Sequence, residues 1–178
     1  MALVCFLVGC STDNPLDSAM LMRNRILSAN ECSFLAEITA DYGDKIQTFT
    51  LSCTVDAQGC LSFCVTEPDS ISGIAGVIDD KGGKLKFDQT MLSFPLLADG
   101  QLSPVSAPWI LMHTLRSGYI ASCGTDKEMN RATIYDSYSE DALQLEVWFD
   151  GNLTPVQGEI IWDGRRILTV SVSNFVIM

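Results

Sequence analysis

From Phe34 onward, apolar residues recur at every second position. Phe34, Ala36, Ile38 and Ala40 alternate with Glu37, Thr39 and Asp41, which predicts a strand with one buried face. Tyr42-Gly43-Asp44 predicts a turn, and Phe49, Leu51, Cys53 and Val55 carry the pattern back. After a second turn at Ala57-Gln58-Gly59, Leu61, Phe63 and Val65 repeat it until Pro68. A loop over 57–59 pairs Val55 with Leu61 and Cys53 with Phe63, aligning the two apolar faces. Ile71 to Ile78 reads as a further strand, bent at Gly73 and Gly76. Asp79-Asp80-Lys81-Gly82-Gly83 predicts a hairpin turn, with short strands over Lys84–Phe87 and Met91–Leu97. Strands resume at Tyr119–Cys123, Ala132–Tyr138, Leu143–Phe149, Val156–Trp162 and Ile167–Val176, with turns at Asp150-Gly151-Asn152 and Asp163-Gly164. Regular short strands of this kind predict a sequential antiparallel meander of about ten strands.

Two stretches break the period of two. Over residues 18–30, Ala19, Met22, Ile26 and Ala29 form one helical stripe, capped by Asp17 or Ser18. Over 103–116, Ser103 caps, Pro104 takes the first helical position, Pro108 distorts the start, and Gly118 terminates. Val105, Ala107, Trp109, Ile110, Leu111, Met112 and Leu115 make this second helix apolar nearly all round. Such a helix is buried, so in an antiparallel protein it lies inside a curved sheet. The fold class is therefore mainly β (α+β).

The chain opens on Met1-Ala-Leu-Val-Cys-Phe-Leu-Val-Gly-Cys10 and switches at once to Ser11-Thr12-Asp13-Asn14. This resembles the end of a bacterial lipoprotein signal peptide, with Leu7-Val8-Gly9-Cys10 matching the lipobox whose cysteine is diacylated after cleavage. The resemblance implies a signal remnant over 1–10, a tether over 11–17 and a single domain over 18–178. That domain would be held by lipid on Cys10 at the extracytoplasmic face of the cell membrane. One departure is that no basic residue precedes the apolar run, as an export signal normally has. The same segment also fits a buried N-terminal strand with an ordinary cysteine. It falls short of the about 20 apolar residues that span a bilayer, and no later segment reaches that length.

Charge narrows the partners. Twenty-two acidic against 11 basic residues give a net charge of −11, which disfavours nucleic acid, because binding it needs Lys and Arg to neutralise phosphates. A basic patch for anionic lipid headgroups is equally missing. A hydrophobic fraction of 47% provides for a large core or an internal apolar cavity, with no metal or disulfide needed to hold the domain. Beyond Cys5 and Cys10, the cysteines are Cys32, Cys53, Cys60, Cys64 and Cys123, an odd number.

Reactive constellations are sparse. His113, the single histidine, sits in the apolar helix beside Met112, Thr114 and Leu115, and reads as a helix residue bonded to a strand. Cys60 and Cys64 lie roughly 13 Å apart on one strand, too far for a disulfide. The 57–59 register sends Cys53 inward and Cys60 and Cys64 outward, against a bridge and against a metal cluster. Asp79, Asp80, Asp150 and Asp163 sit in turns, where acids favour turn geometry. Glu67, Glu146 and Glu159 read as solvated, and Trp148 as an exposed indole on a polar face, a candidate partner contact. No phosphate loop, nucleophile elbow or Cys/His pair is present, so neither enzyme chemistry nor a cofactor is expected.

The order of elements, together with Phe34-Leu-Ala-Glu-Ile38, Thr66-Glu-Pro68, Ile71-Ser-Gly-Ile74, Leu102-Ser-Pro104, Gly118-Tyr119-Ile120, Pro155-Val156 and Glu159-Ile160, resembles the LolA/LolB-like superfamily. More narrowly, it resembles the lipoproteins of Gram-positive bacteria carrying that domain. The resemblance implies a strongly curved, incomplete antiparallel barrel with two helices on its concave side. It also implies a cavity that holds lipid or acyl chains, or a lipidated partner, without enzymatic activity. Its candidate lining is Phe49, Leu51, Phe63, Trp109, Leu111, Met112 and Leu115. In a single-membrane bacterium there is no outer membrane to deliver to, so the carriers' sorting role does not transfer, and their functional arginine finds no matching position. The competing expectation is a cell-envelope interaction or sensing module with a solid core and a protein partner.

Overall fold

The computed structural model describes residues 14–41, 43, 45–87, 90–95, 97–98 and 101–178. The signal remnant, Cys10 and residues 11–13 of the expected tether lie outside these residues. Helix α1 spans Pro15–Ser28, and strands β1 (Glu31–Asp41), β2 (Ile46–Asp56) and β3 (Leu61–Glu67) follow. A 3-10 turn at Asp69–Ile71 leads to β4 (Ala75–Asp79), β5 (Gly82–Phe87), β6 (Thr90–Phe94), β7 (Leu97–Ala98) and β8 (Gln101–Leu102). A second 3-10 turn, Pro104–Ser106, runs into α2 (Ala107–Ser117). The chain closes with β9 (Tyr119–Asp126), β10 (Met129–Tyr135), β11 (Gln144–Phe149), β12 (Pro155–Trp162) and β13 (Arg165–Ile177).

Eleven strands form one antiparallel sheet in the order β6-β5-β4-β3-β2-β1-β13-β12-β11-β10-β9, and β7 pairs with β8 as a separate ribbon. Strands β6 and β9 end the order without pairing to each other, so the barrel is incomplete. Two meanders are joined where β13 returns to lie against β1. The predicted register holds at the β2–β3 hairpin, where Val55 faces Leu61 and Cys53 faces Phe63.

Alternation builds the core. Cys32, Phe34, Ala36, Ile38 and Ala40 of β1 are buried, as are Leu51, Cys53, Val55, Leu61, Phe63 and Val65 across the adjoining strands. The other half of the sheet contributes Ile134, Leu145, Val147, Phe149, Ile160, Leu168 and Val170. Helix α2 packs on β2, β10, β12 and β13. On a flat sheet β2 and β10 stand five strand spacings apart in this order, ~24 Å, whereas 11 residues of helix span about 16 Å. The sheet curls so that its two halves meet the same helix, as the all-round apolar character of α2 requires.

Several boundaries differ from the sequence expectation, three of them for a clear local reason. Helix α1 begins at Pro15, three residues before the expected start, because Asn14 is its cap: the Asn14 side-chain oxygen accepts from the Leu16 N–H, and Pro15 occupies the first helical position. Residues 15–17 of the expected tether are therefore helical, and Asp17 stands in the first turn, where a carboxylate complements the helix dipole. The stretch over 103–116 divides into a 3-10 turn and α2, with Pro108 near the join. The strand expected from Ile71 starts at Ala75, since 69–71 form a 3-10 turn.

Candidate functional site

Helix α2 is held at both flanks by groups that sequence spacing does not reveal. Trp109 donates from its indole N–H to the Gly59 carbonyl at 3.2 Å, and Arg116 donates to the Ala57 carbonyl at 2.6 Å. Both acceptors lie in the β2–β3 turn. From the other side, Arg23 of α1 donates to the Leu115 carbonyl at 2.7 Å and to the Gly118 carbonyl at 2.8 Å. Helix α2 thus has carbonyls at its C-terminal end satisfied by α1, and Trp109 and Arg116 tie it to a hairpin.

Against this braced helix lies a cleft of about 310 Å³, lined by Leu102, Trp109, Ile110, His113, Asp136, Asp141, Leu143 and Trp162. One wall is the flank of α2, and the other is the β10–β11 loop together with the end of β12. Apolar side chains dominate the walls, two indoles among them. His113 stacks on Trp109 with ring centres 4.4 Å apart, and its Nδ1 lies 3.6 Å from an Asp80 carboxylate oxygen. Asp136 accepts from the Leu143 N–H at 2.9 Å, which braces the loop. A second, more open hollow of about 460 Å³ lies between α1 and the β9–β10 side, bordered by Leu16, Met20, Tyr119 and Tyr138.

Of the seven residues expected to line a ligand cavity, Trp109 lines this cleft. Leu51, Phe63, Leu111, Met112 and Leu115 lie in the buried core, and Phe49 is packed against it half-buried. The inward side of α2 is thus packed solid, and the open space is on its flank. Sequence reasoning misses Leu102, Leu143 and Trp162 as lining; they meet only in the folded chain, and nothing in their spacing brings them together.

Two readings of the outer face are overturned. Trp148 is 9% exposed; its indole N–H donates to Asp126 at 3.0 Å, and the Arg131 guanidinium lies 5.3 Å from the ring centre. Glu146 is 4% exposed rather than solvated, and accepts from Arg131 at 2.7 Å, Thr133 at 2.9 Å and Gln144 at 2.8 Å. The cause is register: Arg131 stands opposite Trp148, and Thr133 opposite Glu146, so long neighbouring side chains roof the polar face. Glu159 faces Glu146 across β11–β12, but Arg166 occupies it at 2.9 Å. These carboxylates belong to an ion-pair network on the outer face, not to a cleft.

The five described cysteines are free thiols. Cys53 is buried and Cys60 and Cys64 are partly exposed, the in-and-out arrangement the hairpin register predicts. Burial pushes the Cys53 thiol well above the usual thiol range. Burial also raises Cys60, with Asp56 and Asp79 adding to the effect. Among the described residues, no group of three or more His, Cys, Asp or Glu side chains is placed to hold a metal ion, and no helix is long and apolar enough to cross a membrane.

No family model and no curated protein matches the chain. Solved structures do. An uncharacterized conserved protein from Thermus thermophilus is similar over 90% of this chain and 88% of its own, with a TM-score of 0.50 and 11% identity. A LolA superfamily protein from Nitrosomonas europaea covers 90% and 93%, with a TM-score of 0.46 and 7% identity. Lipoprotein LppX from Mycobacterium tuberculosis covers 90% and 94%, with a TM-score of 0.44 and 11% identity. At such identities the likeness is one of fold, and no residue role passes with it.

Proposed function

We propose that this protein is a non-enzymatic binding domain for an apolar ligand, a lipid or acyl chain or the lipid of a modified partner, tethered through Cys10 to the extracytoplasmic face of the cell membrane. The observation that carries the binding role is the cleft beside α2. Its volume of about 310 Å³ falls at the lower end of the roughly 300–1,000 Å³ typical of small-molecule sites. Its walls are mostly apolar, with Leu102, Ile110, Leu143 and two indoles among the lining. Leu111, Met112 and Leu115 form the floor behind Trp109 and keep α2 rigid, so the ligand lies along the helix flank rather than within the sheet. The cleft has room for one short chain, not for a full diacyl anchor.

A neutral environment-sensitive dye, N-phenyl-1-naphthylamine, tests this directly. Titration is expected to saturate at one dye per protein, with displacement by decanol. Absence of saturable binding to the folded protein overturns the reading. Tethering rests on the lipobox Leu7-Val8-Gly9-Cys10, and cells expressing the protein are expected to incorporate labelled palmitate into it, with Cys10→Ala losing both label and membrane association. An unlabelled wild type contradicts the anchor.

A protein-interaction role is the second reading. The observation favouring it is the exposed group Leu16, Met20 and Tyr119, with Tyr138 at 87% exposure, clustered around the second hollow. An apolar cluster bordered by polar surface marks many interaction sites. If the dye finds no site, this surface becomes the leading candidate for function.

A further inference from the structure

The polar side of the cleft carries a single sign of charge. Asp136 and Asp141 line it, with no Lys or Arg among the lining residues. Both belong to the loop Asp136-Ser-Tyr-Ser-Glu-Asp-Ala-Leu143, which holds three carboxylates and no basic residue. Neither aspartate makes an ion pair among the described residues. The remaining titratable group in the lining, His113, stands by Asp80 and stacks on Trp109. Trp109 stands on the wall facing the acidic loop and Trp162 beside the loop on its own wall; indole faces are electron-rich and attract cations. Trp109 spends its N–H on Gly59 and one ring face on His113 and is 7% exposed, so what it offers a ligand is the remaining ring surface that borders the cleft.

From this arrangement we infer that the cleft selects an amphiphile with a cationic head, a primary or quaternary amine. Its chain would lie against Leu102, Ile110 and Leu143, and its head beside Asp136 and Asp141, within reach of the indole rings. This rests on the apolar-ligand reading and specifies the head group that reading leaves open. An anionic head on the same chain meets carboxylates and no compensating base. Because the loop is exposed, solvent and salt screen the attraction. Exposed ion pairs and cation–π contacts of this kind sum to a preference of about tenfold or somewhat more.

The test is displacement of bound N-phenyl-1-naphthylamine by three ten-carbon competitors: decyltrimethylammonium, decanol and decanoate, each below its micellar concentration. Decyltrimethylammonium is expected to displace the dye at ~10-fold lower concentration than decanoate, with the gap shrinking at high salt. Asp141→Asn is expected to narrow the gap, whereas Glu37→Gln, the same charge change on the outer face of β1, leaves it unchanged. Thermal unfolding of both variants checks that the fold is intact. Equal displacement by all three competitors, or a gap that Asp141→Asn and Glu37→Gln alter alike, overturns the head-group inference while leaving apolar binding in place. Failure of every competitor and of the dye itself overturns the apolar-ligand reading.

Discussion

A thiol buried as deeply as that of Cys53 holds its proton against a rise in pH that would ionise it in the unfolded chain. Desolvation raises it in the folded state, and Cys32, Cys60 and Cys123 shift in the same direction, each chiefly through burial. The folded state therefore binds these protons more tightly than the unfolded chain, whose thiols ionise near pH ~8.5. Their contribution to stability is complete below that pH and is lost progressively above it. The unfolding temperature under reducing conditions should fall as the pH rises from about 8.5 to about 10.5, and Cys53→Ala should make the decline shallower; parallel slopes for the two proteins contradict the assignment. The inward placement of Cys53 was legible because the 57–59 turn fixes the register. Trp148 and Glu146 were not legible, although they alternate just as cleanly. What hides them is Gln144 on their own strand with Arg131, Thr133 and Asp126 on β10 and β9, and which side chains meet across strands is not written in either strand alone.

At the scale of elements, Gly118 shows a stop signal read correctly for an incomplete reason. Helix α2 does end there, but Gly118 is extended, with φ −70° and ψ 162°, so its backbone needs no glycine. What it needs is space: a Cβ at this position would lie 2.6 Å from an Ile134 methyl and 2.7 Å from the Thr114 and Tyr135 carbonyl oxygens. Gly118→Ala should thus lower stability by about 1–3 kcal/mol, measured as a shift in the denaturant midpoint; a wild-type midpoint would show that the contact is easily relieved. Helix α1 and strands β1 and β3 follow from periodicity because each buries one face, whereas α2 is marked by apolar residues nearly all round. The β7–β8 ribbon and the two 3-10 turns are too short to carry a period, and their neighbours decide them. The start of α1 was hidden because Asn14-Pro15 serves equally as a loop signal and as a cap followed by a first helical residue.

Across the whole molecule, an open eleven-stranded sheet curls until both halves grip α2, and Arg23, Trp109 and Arg116 pin that helix to α1 and to the β2–β3 turn. The curvature was legible in one feature, an apolar helix with nowhere else to be buried. The cleft was only partly legible. Trp109 could be named from sequence, whereas Leu102, Leu143 and Trp162 come from three separate elements, and the acidic loop gains meaning only once it borders the same cleft. The core residues Leu111, Met112 and Leu115 fill the concavity of the sheet, which concentrates any binding on the helix flank. The most direct measurement is therefore the titration of N-phenyl-1-naphthylamine into Trp109→Ala and Trp162→Ala beside the wild type, each checked for a cooperative thermal transition. Loss of a large hydrophobic wall should weaken binding by at least about tenfold in both variants. Dye bound with wild-type affinity by both folded variants would contradict a binding site in this cleft.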